Sequence, residues 1–171
     1  MNYIYLISGA CGCGKSTLSK ELARKIDHSF LIGGDELHAF FSEKDDVPWL
    51  ERLRITWENI CSVTQNALRN HLNVIIDYVV EEELPLLQSY LEDNTYELRY
   101  LVILPSDEVI KARITTRGDI ELIDRALFLR NKLSNIDSNI QHIYDNSEKS
   151  VEETIKAFLS EDRFIVSGCQ D

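Results

Sequence analysis

Near the start of the chain, Gly9-Ala10-Cys11-Gly12-Cys13-Gly14-Lys15-Ser16 fits the pattern G-x-x-x-x-G-K-[ST] in full, and that pattern is suited to holding phosphate. Its glycines let successive backbone N–H groups curl around an anion without Cβ clashes, and a helix N-terminus adds its positive end. Lys15 is long enough to reach β- and γ-phosphates, and the Ser16 hydroxyl is a suitable ligand for Mg²⁺. With Thr17, residues 9–17 form the candidate nucleotide-binding segment. Cys11 and Cys13 fall where the loop needs small side chains, and a reactive thiol there would require a lowered pKa.

Other polar side chains fall where the same chemistry needs them. Asp77 closes the apolar run 72–77, and a carboxylate at the C-terminal edge of a sheet can hold Mg²⁺ directly or through water. Asp35 follows Gly33-Gly34, where it could take the proton of an acceptor hydroxyl or orient that hydroxyl for in-line attack. The same residue reads as an N-cap for a helix over 36–41. His38, one turn along, is a candidate substrate contact. Arg113 and Arg117 stand four apart and share a helix face before Gly118-Asp119 breaks the helix. Two guanidiniums there could clamp a transferring phosphoryl group as a lid closes, with Arg125 of the next helix joining them. Arg52, Arg54 and Arg69 lie on the helix expected to wall the acceptor pocket, and Arg52 is taken as the substrate-binding one. Arg54 and Glu58 also read as an i,i+4 pair on a charged outer face. Trp49 and Trp57 share a face and are expected to pack in the core.

The elements that must position these groups follow from periodicity. Apolar runs at 2–8, 29–32, 72–77, 98–104 and 140–144 read as buried strands. Helical spacing covers 16–26, 48–71, 82–92 and 122–133, with Pro48 and Pro85 in first turns. Ser106, followed by Asp107 and Glu108, caps a further helix, and Ser150-Val-Glu-Glu153 is a capping box opening the last. Alternating strands and helices imply an α/β fold with a parallel sheet covered on both faces. Residues 1–171 read as one domain, with a lid at about 117–124 and an acceptor-binding helical segment at about 35–71.

Composition narrows the function classes. The 171 residues carry a formal net charge of −11, which argues against a duplex nucleic-acid binder. Cys11, Cys13, Cys61 and Cys169 include no Cys-x-x-Cys pair and read as reduced thiols of a cytoplasmic protein. No secretory leader or membrane-length apolar run is present, so no membrane partner is expected. A GTPase switch would place Asp-x-x-Gly after the third strand and carry Asn-Lys-x-Asp. Here Asp77 is followed by Tyr-Val-Val and Asn131-Lys132 by Leu-Ser.

The chain resembles the small P-loop kinases that include gluconate kinases, chloramphenicol phosphotransferases and shikimate kinases. The matching segments are GACGCGKST (9–17), GGDELH (33–38), NVIIDYV (73–79), RITTRGD (113–119) and YDNSEKSVEET (144–154). DDVPWLERL (45–53) is similar to a gluconate-kinase stretch, although the arginine after the acidic pair is absent, and IIDYV is closer to the chloramphenicol phosphotransferase version. The resemblance implies a three-layer fold with a five-stranded parallel sheet and a short lid. It implies ATP and Mg²⁺ as cofactors, Asp35 near the acceptor hydroxyl and Arg113 and Arg117 as lid arginines. It also implies a loop at 145–149 passing the adenine.

The combined expectation is in-line transfer of the γ-phosphoryl group to a hydroxyl of a small molecule, by a monomer or homodimer. Lys15, Ser16, Asp77 and the lid arginines would neutralise charge while Asp35 handles the hydroxyl. Sugar acid, antibiotic, nucleoside and other alcohols stay open as acceptors. The alternatives are a nucleotide-binding switch or regulatory ATPase acting through a protein partner, and a kinase of nucleic-acid ends, which the charge disfavours.

Overall fold

Alternation along the first strand, β1 (Asn2–Gly9), decides the layering. Ile4 and Leu6 point to one face, Tyr5 and Ile7 to the other, and all four are buried, so both faces of the sheet must be covered. The computed structural model describes residues 1–42, 44, 46–91 and 95–166. Asp45, Glu92 and Cys169, which figure in the sequence reading, lie outside the described residues.

Within the described residues β1 pairs in parallel with β3 (Asn73–Asp77) on one side and β4 (Tyr96–Ile103) on the other. β2 (Ser29–Gly33) flanks β3 and β5 (Ile143–Tyr144) flanks β4, giving the order β2-β3-β1-β4-β5. Helices α1 (Lys15–Lys25) and α7 (Val151–Ser160) cover one face, where Leu18, Leu22, Ile155 and Phe158 pack with Tyr5, Ile7 and Ile75. Helices α3 (Trp49–Arg69) and α4 (Leu84–Leu91) cover the other, with Trp57, Ile60 and Leu87 against Ile4, Leu6 and Ile76. The short α2 (Gly34–His38), with α5 (Asp107–Arg117) and α6 (Ile123–Ser134), completes a three-layer α/β fold. The strand order reverses direction at β1, and the crevice at such a switch point is where open α/β sheets take ligands.

Two expectations about local structure change. The fifth strand is two residues rather than 140–144, because Asp137–His142 forms a 3-10 helix. The buried Asn139 side chain holds that turn: its Oδ1 accepts from the Tyr100 hydroxyl at 2.9 Å and its Nδ2 donates to Leu133 O at 3.1 Å. Asp35 is not an N-cap. Gly33 occupies that position without a side-chain cap, and Asp35 lies inside the first turn of a helix that ends at His38. A Cβ on Gly34 would sit 2.1 Å from Tyr78 Cγ, so only glycine lets the backbone before Asp35 pack against that ring.

Both expected serine caps form. Ser106 Oγ accepts from Val109 N, and Ser150 and Glu153 make the reciprocal capping box. Among the described residues no helix is long and apolar enough to cross a membrane. Replacing a serine cap by alanine typically costs about 1 kcal/mol. Ser150→Ala is therefore expected to lower the urea midpoint by a corresponding amount without changing the slope of the transition, which equilibrium unfolding will check.

Candidate active site

The loop after β1 is held by its own geometry and by its neighbours. Gly12 adopts φ +77, and a Cβ there would lie 2.7 Å from Ile114 Cγ1 of α5, so the loop packs closely only with glycine at this point. Cys13 N donates to Ala10 O at 3.3 Å, closing the turn. Lys15 Nζ donates to the same oxygen at 3.3 Å and, although charged, is largely buried. The ammonium is thus folded over the loop, where a phosphate would meet it.

Asp77 ends β3 in register with Ile7 of β1 and Gly33 of β2, which puts its carboxylate beside the loop. Ser19 Oγ shares its proton between Lys15 O at 2.7 Å and Asp77 Oδ2 at 3.1 Å. Burial pushes the Asp77 carboxyl up from the usual carboxylate range. The Lys15 charge and hydrogen bonding with Ser16 and Ser19 oppose that shift, while the Asp35 charge adds to it. Lys15, Ser16, Asp77 and Asp35 therefore share one electrostatic neighbourhood. Among the described residues no group of three or more His, Cys, Asp and Glu side chains gathers as a metal site. A hydroxyl and one carboxylate suit Mg²⁺, whose remaining positions are ordinarily filled by phosphate oxygens and water.

Burial pushes the Cys13 thiol up from its ordinary value. With Cys13 inside the core cluster, its part is packing rather than nucleophilic or redox chemistry.

Arg113 and Arg117, the arginines expected in the lid, line one cavity of about 510 Å³ together with Gly12, Gly14, Asn146 and Lys149. They are differently engaged. Arg113 Nη1 donates to Cys13 O at 2.8 Å, and Asn146 Nδ2 donates to the same oxygen at 3.1 Å. Arg117 is exposed and pairs with Asp119 at 2.7 Å, just before Gly118 ends the helix at φ +87. Arg125 is not among the residues lining that cavity. Its guanidinium lies over the Trp49 ring, 5.0 Å from the centroid.

Arg125 therefore belongs to the other side of the site, with Asp35 and His38. Burial, with the Asp35 charge next in weight, pushes the Tyr78 hydroxyl up to about 12, and Arg125 acts in the opposite sense. His38 Nδ1 lies 3.3 Å from Thr56 Oγ1, whose hydroxyl donates to Arg52 O at 2.8 Å. His38 also meets Trp49 with centroids 4.9 Å apart. Arg52 donates from Nε to Val47 O at 3.0 Å and covers the Phe41 ring at 5.3 Å. Arg54 pairs with Glu51 and Glu58 on the outer face of α3, and Arg69 lies exposed in its last turn. The tryptophans part company: Trp57 is 1% exposed in the core, whereas Trp49, expected there too, is 49% exposed at the helix start.

A parallel sheet of this order with a Lys-Ser loop at its switch point defines a P-loop nucleotide-binding α/β protein. The chain belongs to the AAA_18 family of AAA domains, which matches residues 6–155 and places it among the small P-loop kinases. It is similar to the uridine kinase of Clostridium botulinum strain Langeland, with 25% identity over 137 residues, 71% of this chain and 66% of that protein. The chain spans between 37% and 66% of the length of the uridine kinases it matches. Among solved structures, the tunicamycin resistance protein of Deinococcus radiodurans superposes with a TM-score of 0.70 at 15% identity, covering 94% of this chain and 95% of that one. The Pnkp1/Rnl/Hen1 RNA repair complex gives a TM-score of 0.61 at 17% identity, covering 99% of this chain and 49% of that one. At such identities the two structures bear on the fold alone.

Sequence reasoning missed Ser19 and Thr56, and it reached Asn146 only as part of the 145–149 loop, without its contact to Cys13 O. Ser19 falls one turn after Lys15, a spacing that could have flagged it, whereas Thr56 carries no local signal. The Arg113 contact yields a direct test. Hydrogen bonds from charged groups are worth about 1.5–3 kcal/mol, so Arg113→Ala should destabilise the fold by roughly that amount and weaken ATP binding. Arg113→Lys should restore little, because an ammonium lacks the planar fork; urea unfolding and calorimetric ATP titration measure both.

Proposed function

We propose that the chain transfers the γ-phosphoryl group of ATP to a hydroxyl of a small molecule. The observation that carries this reading is the convergence of Lys15, Ser16, Asp77 and Asp35 at the C-terminal edge of the sheet, with Asp35 two residues beyond the register partner of Asp77. The backbone amides of residues 9–17 would bind the phosphates, and Lys15 would swing from Ala10 O to the transferring group. Ser16 and Asp77 would hold Mg²⁺, which when bound supplies positive charge to the phosphate oxygens. Asp35 is exposed and would orient the acceptor hydroxyl and take its proton. Arg117 would leave Asp119 to meet the phosphoryl group as the 117–124 segment closes, while Arg113 keeps the loop in shape. His38 and Arg52 would shape the acceptor pocket, Arg52 by holding Phe41.

Membership of the P-loop kinases supports phosphotransfer, and the similar uridine kinases bring nucleosides into the range of acceptors to be tried. The alternative, a nucleotide-binding switch that works through a protein partner, draws on the exposed Phe40, Leu50 and Phe128. ATP consumption with Mg²⁺ across sugar acids, aminoglycosides, chloramphenicol and nucleosides separates the two. Lys15→Ala is expected to lower turnover by about 10²–10³-fold, the usual scale for losing one preorganised charge-stabilising group. Asp35→Asn should spare ATP binding and cut transfer by about 10²–10⁴-fold, the scale of general acid–base catalysis. A Lys15→Ala variant of near-normal activity would refute the reading, and slow hydrolysis indifferent to every acceptor would favour the switch.

A further inference from the structure

The phosphotransfer reading, on which this inference rests, leaves the acceptor unspecified, and the side chains beyond Asp35 narrow it. Trp49 keeps about half of its surface exposed at 49%, while Trp57 of the same helix is buried. It is held in place by His38, 4.9 Å away between centroids, and is covered by the exposed Arg125 guanidinium at 5.0 Å. A large exposed indole against a guanidinium is a surface arranged for stacking. The same platform adjoins the reacting end of the site. His38 lies one turn from Asp35 on α2, and Asp35 and Arg125 both act on the Tyr78 hydroxyl.

We propose that Trp49 and Arg125 form a slot for an uncharged acceptor that carries a flat aromatic or heteroaromatic ring and presents its hydroxyl to Asp35. Two stacking contacts of about 3.5 Å each need the guanidinium and the indole about 7 Å apart. The guanidinium now lies 5.0 Å from the indole centroid, so an entering ring would have to turn Arg125 to another rotamer to lie between an aromatic face and a cation. A puckered sugar lacks the flat π-face that such a slot rewards.

The acids near the slot outnumber its one cation, the Arg125 guanidinium, and so work against an anionic acceptor. Asp35 and Asp77 lie on that side, together with Glu36 in the first turn of α2. The arginines that could answer an acid on α3 are committed or distant. Arg54 is paired with Glu51 and Glu58, and Arg52 is bound to Val47 O and covers Phe41. Arg69 stands twenty residues along the helix from Trp49, about 30 Å at 1.5 Å per residue.

The test pairs acceptor kinetics at saturating ATP and Mg²⁺ with quenching of tryptophan fluorescence, using uridine and adenosine as flat-ring probes and ribose and gluconate as non-planar ones. The slot predicts that uridine or adenosine quenches the exposed Trp49 and is phosphorylated in preference to ribose and gluconate. Trp49→Leu should then raise the acceptor KM about tenfold or more, the order expected for loss of base stacking, with kcat at saturation changed less than threefold. Trp49→Phe should restore most of the KM. Leu50→Ala, at an exposed neighbouring position, should leave it unchanged and so control for disturbance of the helix start. Quenching without transfer would overturn the slot as an acceptor site and leave phosphotransfer to the wider acceptor panel. Preferred transfer to ribose or gluconate, with KM indifferent to Trp49→Leu, would overturn the slot and leave phosphotransfer standing. Neither quenching nor transfer would overturn the slot, with phosphotransfer decided separately by the wider panel and Lys15→Ala.

Discussion

The carbonyl oxygen of Cys13 is the point on which the site depends. A loop whose amides turn inward toward phosphate must turn carbonyls outward, and a buried carbonyl needs partners. Cys13 O takes hydrogen bonds from Arg113 of α5 and from Asn146 in the segment before α7. The contact between Gly12 and Ile114 adds close packing at the same junction. One oxygen thereby joins the first βα unit to residues 100 and 133 positions later, and the cavity between them is lined by all three. The shape of the phosphate loop is a property of the whole domain rather than of its own eight residues.

The neighbouring carboxylate shows the opposite economy. Asp77 is desolvated at the end of β3, a cost that Lys15 and the hydroxyls of Ser16 and Ser19 only partly offset. Such a group is held at a disadvantage without a cation, and a bound Mg²⁺ with its phosphates would reverse the balance. The Asp35 charge adds to that disadvantage from β2's side of the crevice, so the two acids are linked by position, though Asp77 ends a strand and Asp35 belongs to the helix after another. A site in which like charges are held together and a lysine is folded back onto its own loop is organised for a charged ligand.

On the acceptor side the controlling feature is the close approach of Gly34 to the Tyr78 ring. It sets α2 against β3, aims Asp35 at the crevice and leaves His38 to meet Thr56 and Trp49 from α3. Asp35, Tyr78, Arg125 and Trp49 thus come together from four separate elements. Arg125 stands with the aromatic rings here, while Arg113 and Arg117 stand with the phosphate loop, so the three arginines that the sequence groups together are divided between two regions.

The sequence by itself determined the layers and the phosphate loop, because both are local patterns. Period-two alternation in residues 2–9, helical spacing in 15–25 and 49–69, the serine caps and the G-x-x-x-x-G-K-S run each specify structure within a few residues. The same logic located Asp77 and Asp35, since the ends of apolar strands are legible as such. It misread the fifth strand, because Asn139 is held in a 3-10 turn by the Tyr100 hydroxyl from a distant strand. Helical period also placed Trp49 in the core, since it reports which face a residue occupies but not whether anything covers that face at the helix end. Only the tertiary structure decided which charges meet: Arg113 on Cys13 O, Ser19 on Asp77, Arg125 on Trp49. Those pairings join residues far apart in the chain, and their geometry exists only once the sheet order has brought the strand ends together.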